Sequence, residues 1–451
     1  MAFQRKRIKS TVPVYSTATP NLPISLYDGS FEFEQETVKF STSGEIKFVW
    51  LRIPKVAFSL NQKSSSKDDS IWVEKDLASL KIPSYTNEIQ VKILKKSNSH
   101  NLKEKSLFCS GELAAPFQIG NGNDLQYVIL HLPNFFDTFG EGIQGNVNEK
   151  VSWAGRFYLY SNNWKITVDK VENYQSLFKE LKENGGYAIT HTIKIERENN
   201  DTFNIAELQT LKENLFYSFS FARGFWIDPT LEVGFDVKGN RTWETWTYSR
   251  TDRWRNVNSW FNCHKPVILT DFFSVFCERL EDPIWGEILK RAIRWYISSN
   301  LREGEEEGSI ILAQTAHEML SWTKFVTEKG LSIDGYKNLH ASDKLRLVLS
   351  EAKIPLNVSV NLKYLLALCK LKNWVDGAQA VTEIRNKLVH PSSKNLQAIQ
   401  QINANEMNDA YSLTMWYLEL TLLFLLGFKD RYVNRLIYSK WTGETEEVPW
   451  I

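Results

Sequence analysis

The hydrophobic period of this chain turns helical beyond Asp282–Pro283 and stays so to the end, and that change limits what it can fold into. Up to about residue 160 apolar residues cluster in short β-branched and aromatic runs, and from there to about 270 the pattern mixes. The runs "NEIQVKILKK", "LQYVILHLPNF" and "RFYLYSNNWKITVDKV" predict strands, with loops at "NQKSSSKDDS" and "KKSNSHNLKEKS". "VKFSTSGEIKFVWLRI" reads as two short strands split by a Ser-Gly turn. A β-rich, antiparallel, sandwich-like module is therefore expected over 1–160. An α+β extension of it follows over 161–275. There "NYQSLFKELKENGG" and "NIAELQTLKENLFYSFSFA" predict helices, and "YAITHTIKIER" and "GFWIDPTLEVGFDVKGNRTWETWTYS" predict strands. Residues 284–451 should form an all-α domain with helices at 284–299, 308–328, 341–352, 359–371, 376–389 and 405–427. An acidic link, "EGEEEG" at 303–308, separates the first two. The fold class is α+β multidomain, a β-rich module followed by a helical bundle.

A chain of 451 residues accommodates two or three such domains. Its 54 basic and 53 acidic side chains leave a net charge of +1, so no global field attracts nucleic acid and any basic surface must be local. The four cysteines, Cys109, Cys263, Cys277 and Cys369, form no CxxC pair, which argues against a zinc site and a disulfide framework and favours the reducing cytoplasm. "MAFQRKRIKS" lacks the apolar run of a signal peptide. The most apolar segment, "SLTMWYLELTLLFLLGF" at 412–428, is short for a membrane span and contains Glu419, so it reads as a core helix.

One local motif carries more chemistry than the rest: "TEIRNKLVHPSS" at 382–393. Asp376 is a good N-cap for its helix, with Gln379 placed to complete a capping box, and Ala380, Val381, Ile384 and Leu388 form the apolar stripe. Pro391 disfavours helical dihedrals at His390, so the helix should end there. Asn386 and His390 share a face, whereas Arg385 lies about 140° from an ideal helical His390 and must close the gap with its long side chain. A guanidinium can hold a phosphate, an imidazole can move a proton near neutral pH, and an amide can orient either. RNA supplies its own 2′-hydroxyl nucleophile. Two readings stay open at this level: favourable charge at a helix C-terminus, or a metal-free phosphodiester site.

The region 284–440 resembles a HEPN domain of the ApeA-like branch. The resemblance rests on "DGAQAVTEIRNKLVHP", supported by "WYISSN", "ILAQTAHEMLSW" and "YLELTLLFLLGFKDRYVNR" in matching order. It implies a domain that pairs as a homodimer through its motif helices and a metal-independent endoribonuclease, of the kind found in toxin and antiphage systems. Arg385 and His390 would be the catalytic pair, Asn386 the polar residue beside them, and Glu318 an acidic position in the upstream helix. RNA is then the substrate, no cofactor is implied, and the N-terminal module is the place for a phage-derived or nucleic-acid trigger. The other reading of the same resemblance is a non-catalytic adaptor that binds nucleic acid, nucleotide or a protein.

Elsewhere, "RTWETWTYSRTDRWRNVNSWF" at 241–261 interleaves tryptophans with arginines. Arg250, Arg253, Trp254 and Arg255 are its candidate nucleic-acid contacts, because bases stack on aromatic and guanidinium planes. The competing reading is that the tryptophans fill the joint between domains and the arginines cover them with their stems. "NCHK" at 262–265, "AHEML", His131 and His191 lack the partners a metal site needs, and no glycine-rich phosphate loop is present.

Overall fold

Six antiparallel strands near the N-terminus close into a small barrel. The computed structural model describes residues 8–36, 38–64, 75–100, 105–146, 150–390, 392–437, 441 and 443–451. The barrel strands are β1 (Ile24–Gln35), β2 (Val38–Val49), β3 (Lys55–Ser64), β4 (Leu77–Lys81), β5 (Glu88–His100) and β6 (Lys105–Leu113), in the order β1-β2-β3-β6-β5-β4. Alternate residues fill it, among them Phe31, Phe33, Ile46, Phe48, Phe58, Leu60, Ile89 and Val91. The Ser-Gly step expected as a turn runs straight through β2, where Gly44 pairs with Gly29 and Leu60. Glycine is needed there for close approach: a Cβ would stand 2.2 Å from the Ser59 carbonyl oxygen. The expected loops are also partly strand. β3 runs to Ser64, pairing with β6 as far as Ser64↔Lys105, and β5 pairs with the other edge of β6 from Lys96↔Cys109 to His100↔Lys105. The sequence there is polar without apolar alternation, which hides the strands from a periodicity reading. Residues 65–74 and 101–104 of those loops lie outside the described residues.

The next eight strands form one sheet rather than the second half of a sandwich. They are β7 (Phe117–Gly120), β8 (Tyr127–Pro133), β9 (Glu141–Gln144), β10 (Ser152–Ser161), β11 (Trp164–Lys170), β12 (Ile189–Arg197), β13 (Thr230–Phe235) and β14 (Arg241–Trp246). Their order is β7-β14-β13-β8-β12-β11-β10-β9. The boundary expected near residue 160 falls inside the β10–β11 hairpin, where Ser161 pairs with Trp164; the change of sheet comes between Leu113 and Phe117. Helix α1 (Tyr174–Asn184) ends on Gly185 as expected, and α2 (Gln209–Arg223) follows a short 3-10 turn at Ile205–Leu208.

The two faces of this sheet have different fates. Val128, Leu130, Leu132, Ile166, Val168, Ile193 and Ile195 join a large core shared with the helices. Ile189, Leu231, Val233 and Trp246 join the barrel core on the other side. The helices are α3 (Val267–Glu281), α4 (Gly286–Asn300), α5 (Glu305–Trp322, prolonged by a π-helical turn at Thr323–Glu328), α6 (Ile333–Lys337), α7 (Ala341–Glu351), α8 (Lys363–Lys372), α9 (Gly377–Val389), α10 (Ser393–Gln400) and α11 (Ala404–Leu425). The chain is thus α+β, with a β-rich N-terminal region and a helical C-terminal part. Helix α3 begins upstream of the expected domain boundary and packs on β10. Glu305, Glu306 and Glu307, expected in a link, form the first turn of α5, where carboxylates oppose the positive end of the helix dipole.

Glu419, the charge inside the apolar helix, is answered by a residue beyond that helix. Arg435 Nη2 lies 2.6 Å from Glu419 Oε2, with both side chains almost wholly buried. Tyr296 Oη donates to the same oxygen at 2.7 Å, and Arg435 Nη2 also donates to Asn300 Oδ1 at 3.1 Å. Burial opposes the Arg435 charge, but Glu419 and Tyr296 outweigh it and raise the guanidinium pKa; burial beside Glu419 pushes the Tyr296 phenol well above its ordinary value. Among the described residues no helix is long and apolar enough to cross a membrane. Arg435→Met should destabilise the protein by about 3–5 kcal/mol, because it strands a buried carboxylate, and Glu419→Gln added to it should recover part of the loss. Urea midpoints of the two variants check this; an unchanged midpoint for Arg435→Met would show that the pair is dispensable.

Candidate functional site

Helix α9 begins where the sequence places it. Asp376 accepts the Gln379 N–H at 2.8 Å, and Arg346 grips the same carboxylate from α7 through Nε at 2.7 Å. The reciprocal half of the capping box is displaced by one residue: Gln379 Oε1 accepts from Val375 N, not from the N-cap itself. Ala380, Val381 and Ile384 are buried against the large core and Leu388 partly so. The helix ends at Val389. His390 is extended (φ −107°, ψ 95°), and its N–H still reaches the Asn386 carbonyl at 3.1 Å. Pro391, the expected cause, lies outside the described residues.

Three of the four expected site residues meet at this helix end. Arg385 Nη2 stands 3.4 Å from Glu318 Oε1 on α5, and Arg385 Nη1 donates to Asn386 Oδ1 at 3.4 Å. Both contacts are long for charge-assisted bonds, which favour about 2.7–2.9 Å. The Nε–H of the same guanidinium is buried and has no hydrogen-bond partner among the described residues. A buried donor left unpaired costs about 1–3 kcal/mol, so this arginine is held loosely and incompletely satisfied. His390 is exposed, and its carbonyl accepts from Asn395 Nδ2 at 2.8 Å. No hydrogen bond or ion pair ties its imidazole to Arg385, Asn386 or Glu318 among the described residues. The helix end therefore presents a cation with unspent donors, an amide touching it, a carboxylate behind it, and an unrestrained imidazole one turn away.

Two stretches match known family models. Residues 120–257 match the YopA central domain and residues 282–447 the YopA C-terminal domain. Those limits follow the architecture: the first covers nearly all of the eight-stranded sheet, the second starts beside α4 and holds the whole candidate site, and the barrel lies outside both. The chain is also 28% identical over 444 residues to the SPbeta prophage-derived uncharacterized protein YopA of Bacillus subtilis (strain 168), covering 95% of each chain. No solved structure matches.

The second candidate set lies elsewhere, and its aromatic rings are mostly packing groups. Trp243, Trp246 and Trp260 are buried. Trp254 is half-buried, edge-on to Phe178 at 5.6 Å with the Arg223 guanidinium 4.6 Å from its ring. Arg250 lies 4.1 Å over Trp226, covering it as the stem-packing reading expects. Arg253, Arg255 and Tyr248 remain exposed. None of this set shares a hydrogen bond or ion pair with Arg385, Asn386 or His390 among the described residues.

Three of the other histidines, His131, His191 and His317, are buried, whereas His264 is exposed and stacks on Phe139 at 4.7 Å. His131 Nδ1 faces the Leu231 carbonyl at 2.9 Å while Nε2 accepts the Tyr15 N–H at 2.9 Å, which fixes the neutral ring with its proton on Nδ1. His191 lies between the Thr138 and Thr190 hydroxyls. His317, beside Glu318 on α5, is buried with neither ring nitrogen hydrogen-bonded among the described residues, and neighbouring Gln314 keeps its Nε2 unpaired as well. This inward polar stripe on α5 was missed in the sequence, although two polar residues three apart on an apolar helix are a readable signal. Among the described residues no cluster of three His, Cys, Asp or Glu could hold a metal ion.

Burial lowers the pKa of His131 and His317 from 6.5 to about 4, and burial with the Lys170 charge lowers that of His191 well below 6.5. Each histidine is neutral in the fold and takes up a proton on unfolding. Their contribution is therefore complete above pH 6.5 and is lost as the pH falls toward about 4. At pH 5.5 His131 and His317 should each have forfeited on the order of 1 kcal/mol. Urea midpoints across that range should fall, and His131→Gln should make the decline shallower; the same slope with and without His131 would contradict this assignment.

Proposed function

We propose that this protein is a metal-independent endoribonuclease of the HEPN type. The observation that supports it most is the state of Arg385: a helix-end guanidinium with long contacts to Glu318 and Asn386 and a buried Nε–H still unpaired. With the loosely held guanidinium turned outward, a scissile phosphate would supply the acceptor this donor lacks and would gain charge stabilisation as the phosphorus becomes five-coordinate. His390, exposed one turn on, would take the proton of the RNA 2′-hydroxyl. Attack of that oxygen on the adjacent phosphorus breaks the bond to the 5′-oxygen, leaving a 2′,3′-cyclic phosphate and a 5′-hydroxyl. The departing oxygen needs a proton, and one imidazole cannot be base and acid at once, so the reading requires a second copy of the chain. A candidate contact is an exposed apolar patch made by Tyr364 and Leu371 on α8 with Val360 and Val375 in the connections on either side of it, all four more than half exposed.

Similarity to a prophage-derived protein suggests that the setting is phage–host conflict in the bacterial cytoplasm, with the barrel and sheet positioning the activity or answering a trigger. The alternative, a non-catalytic adaptor, is favoured by one observation: His390 has nothing among the described residues to orient its ring. One panel separates the two. Wild type, Arg385→Ala, His390→Ala and Leu371→Glu are purified and mixed with total RNA, and their urea midpoints are compared. Catalysis predicts a loss of cleavage of about 100-fold or more in both α9 variants. Arg385→Ala should not destabilise the fold by more than about 0.5 kcal/mol, since its ion pair is weak and its buried Nε–H is unpaired. Leu371→Glu should yield a folded, inactive monomer. Undiminished cleavage by His390→Ala, or RNA left intact by the wild type, would end the nuclease reading in favour of the adaptor.

A further inference from the structure

The sheet carries a cleft on the face turned away from the helices, and it belongs to neither the barrel core nor the α9 site. Its volume is about 670 Å³, within the range of pockets that enclose small ligands, about 300–1,000 Å³. Strand alternation builds it. On β8, β10, β11 and β12 the residues between those that enter the large core point here: Tyr127 and Ile129, Tyr158, Lys165 and Thr167, and Lys194 and Glu196. β13 adds Phe235, whose ring stacks on Tyr127 at 4.8 Å and 11°. Exposed faces of antiparallel sheets are ordinarily covered with small and charged groups, so three partly exposed aromatic rings on one floor need an explanation.

A strap from the N-terminal segment roofs this floor. The Arg156 Nη2 donates to the Lys9 carbonyl at 2.9 Å, the Thr11 N–H donates to Asp169 Oδ2 at 2.6 Å, and the Tyr15 N–H is held by His131 at 2.9 Å. Val12, Pro13 and Val14 arch between those anchors over the cleft. The cleft is therefore lined by apolar residues of the strap and aromatic residues of the strands.

Its charge is positive. Lys165 and Lys194 both pair with the single carboxylate Glu196, so one cation is in excess. Arg156 and Arg241 sit on the rim, each with its own acidic partner, Asp169 and Glu244. The Lys194 ammonium lies 4.7 Å from the Tyr127 ring and that of Lys165 5.9 Å from the Tyr158 ring, so the cations stand beside the aromatic floor rather than apart from it.

We infer that this cleft binds a nucleotide unit, its base packed against the stacked Tyr127–Phe235 pair beside the strap and its phosphate against Lys165 and Lys194. Glu196 is the acceptor available for an amino or ribose hydroxyl group. The chemistry is shared by a free nucleotide and by an unpaired nucleotide of an RNA strand. The inference stands apart from the nuclease reading, because none of these residues belongs to the α9 site.

The test uses the full chain carrying His390→Ala, so that cleavage cannot consume the probe. Binding of ATP, of a single-stranded oligouridine, and of inorganic triphosphate is measured by calorimetry. ATP or the oligouridine should bind, and binding should weaken about tenfold in Tyr127→Leu and in Lys165→Ala/Lys194→Ala, within the contribution expected of one stacked base. Binding of ATP alone identifies a free nucleotide as the source; tighter binding of the oligouridine identifies a strand. No binding of either probe, unaltered affinity in the lysine variant, which disturbs no core position, or triphosphate bound as tightly as ATP would overturn the inference.

Discussion

The buried contact between Glu419 and Arg435 is the joint on which the helical part turns. It fastens the last core helix, α11, to the segment that follows it, and through Tyr296 and Asn300 it fastens both to α4. Asn300 also donates to the Gly224 and Asn258 carbonyls at the end of α2, so the same cluster reaches the layer that covers the sheet. Removing two ions from water is costly, and a pair like this adds little net stability over an apolar substitute. Tyr296 and Asn300 on α4 and Glu419 on α11 all reach Arg435, although its Nη1 has no partner among the described residues. Helix α5 packs on both α4 and α11, and α9 packs on α5, so Glu318 and Arg385 are carried by helices that rest on this joint.

The candidate site and the joint also share sequence segments. "WYISSN" contains Tyr296 and Asn300, and "YLELTLLFLLGFKDRYVNR" contains Glu419 and Arg435. The segments beside the RNxxxH motif that carry the HEPN resemblance are therefore largely the ones that build the buried network. They build the packing of the helical part, while the proposed chemistry rests on Arg385, Asn386 and His390 alone. The cleft on the sheet is built by other means, from strand alternation and a strap, and lies on the opposite side of the sheet from the helices.

Local signals were legible in the sequence and pairings were not. Asp376 announced the start of α9, and the glycines at 185–186 announced the end of α1, because caps and left-handed turns are decided by neighbouring residues. The six expected helices all exist, with ends moved by a few residues. Barrel closure was invisible, since it depends on β1 meeting β4 across some 50 residues, and no period records which strands pair. Gly44 was misread as a turn because its reason for being glycine is the Ser59 carbonyl on another strand. Glu419 could be recognised as a core oddity, but its partner lies 16 residues on, in a segment without helical period. In the site, the meeting of Arg385 with Glu318 depends on helix packing and could be suggested only by resemblance.

The central claim is that RNA is cut by its own 2′-hydroxyl without a metal ion. The direct measurement is the chemistry of the ends that the wild-type protein leaves on a defined RNA in excess EDTA, read by mass spectrometry. The account predicts undiminished cleavage, 2′,3′-cyclic phosphate on one side of each cut and 5′-hydroxyl on the other. Fragments ending in 5′-phosphate, or cleavage that stops when metal is chelated, would contradict it.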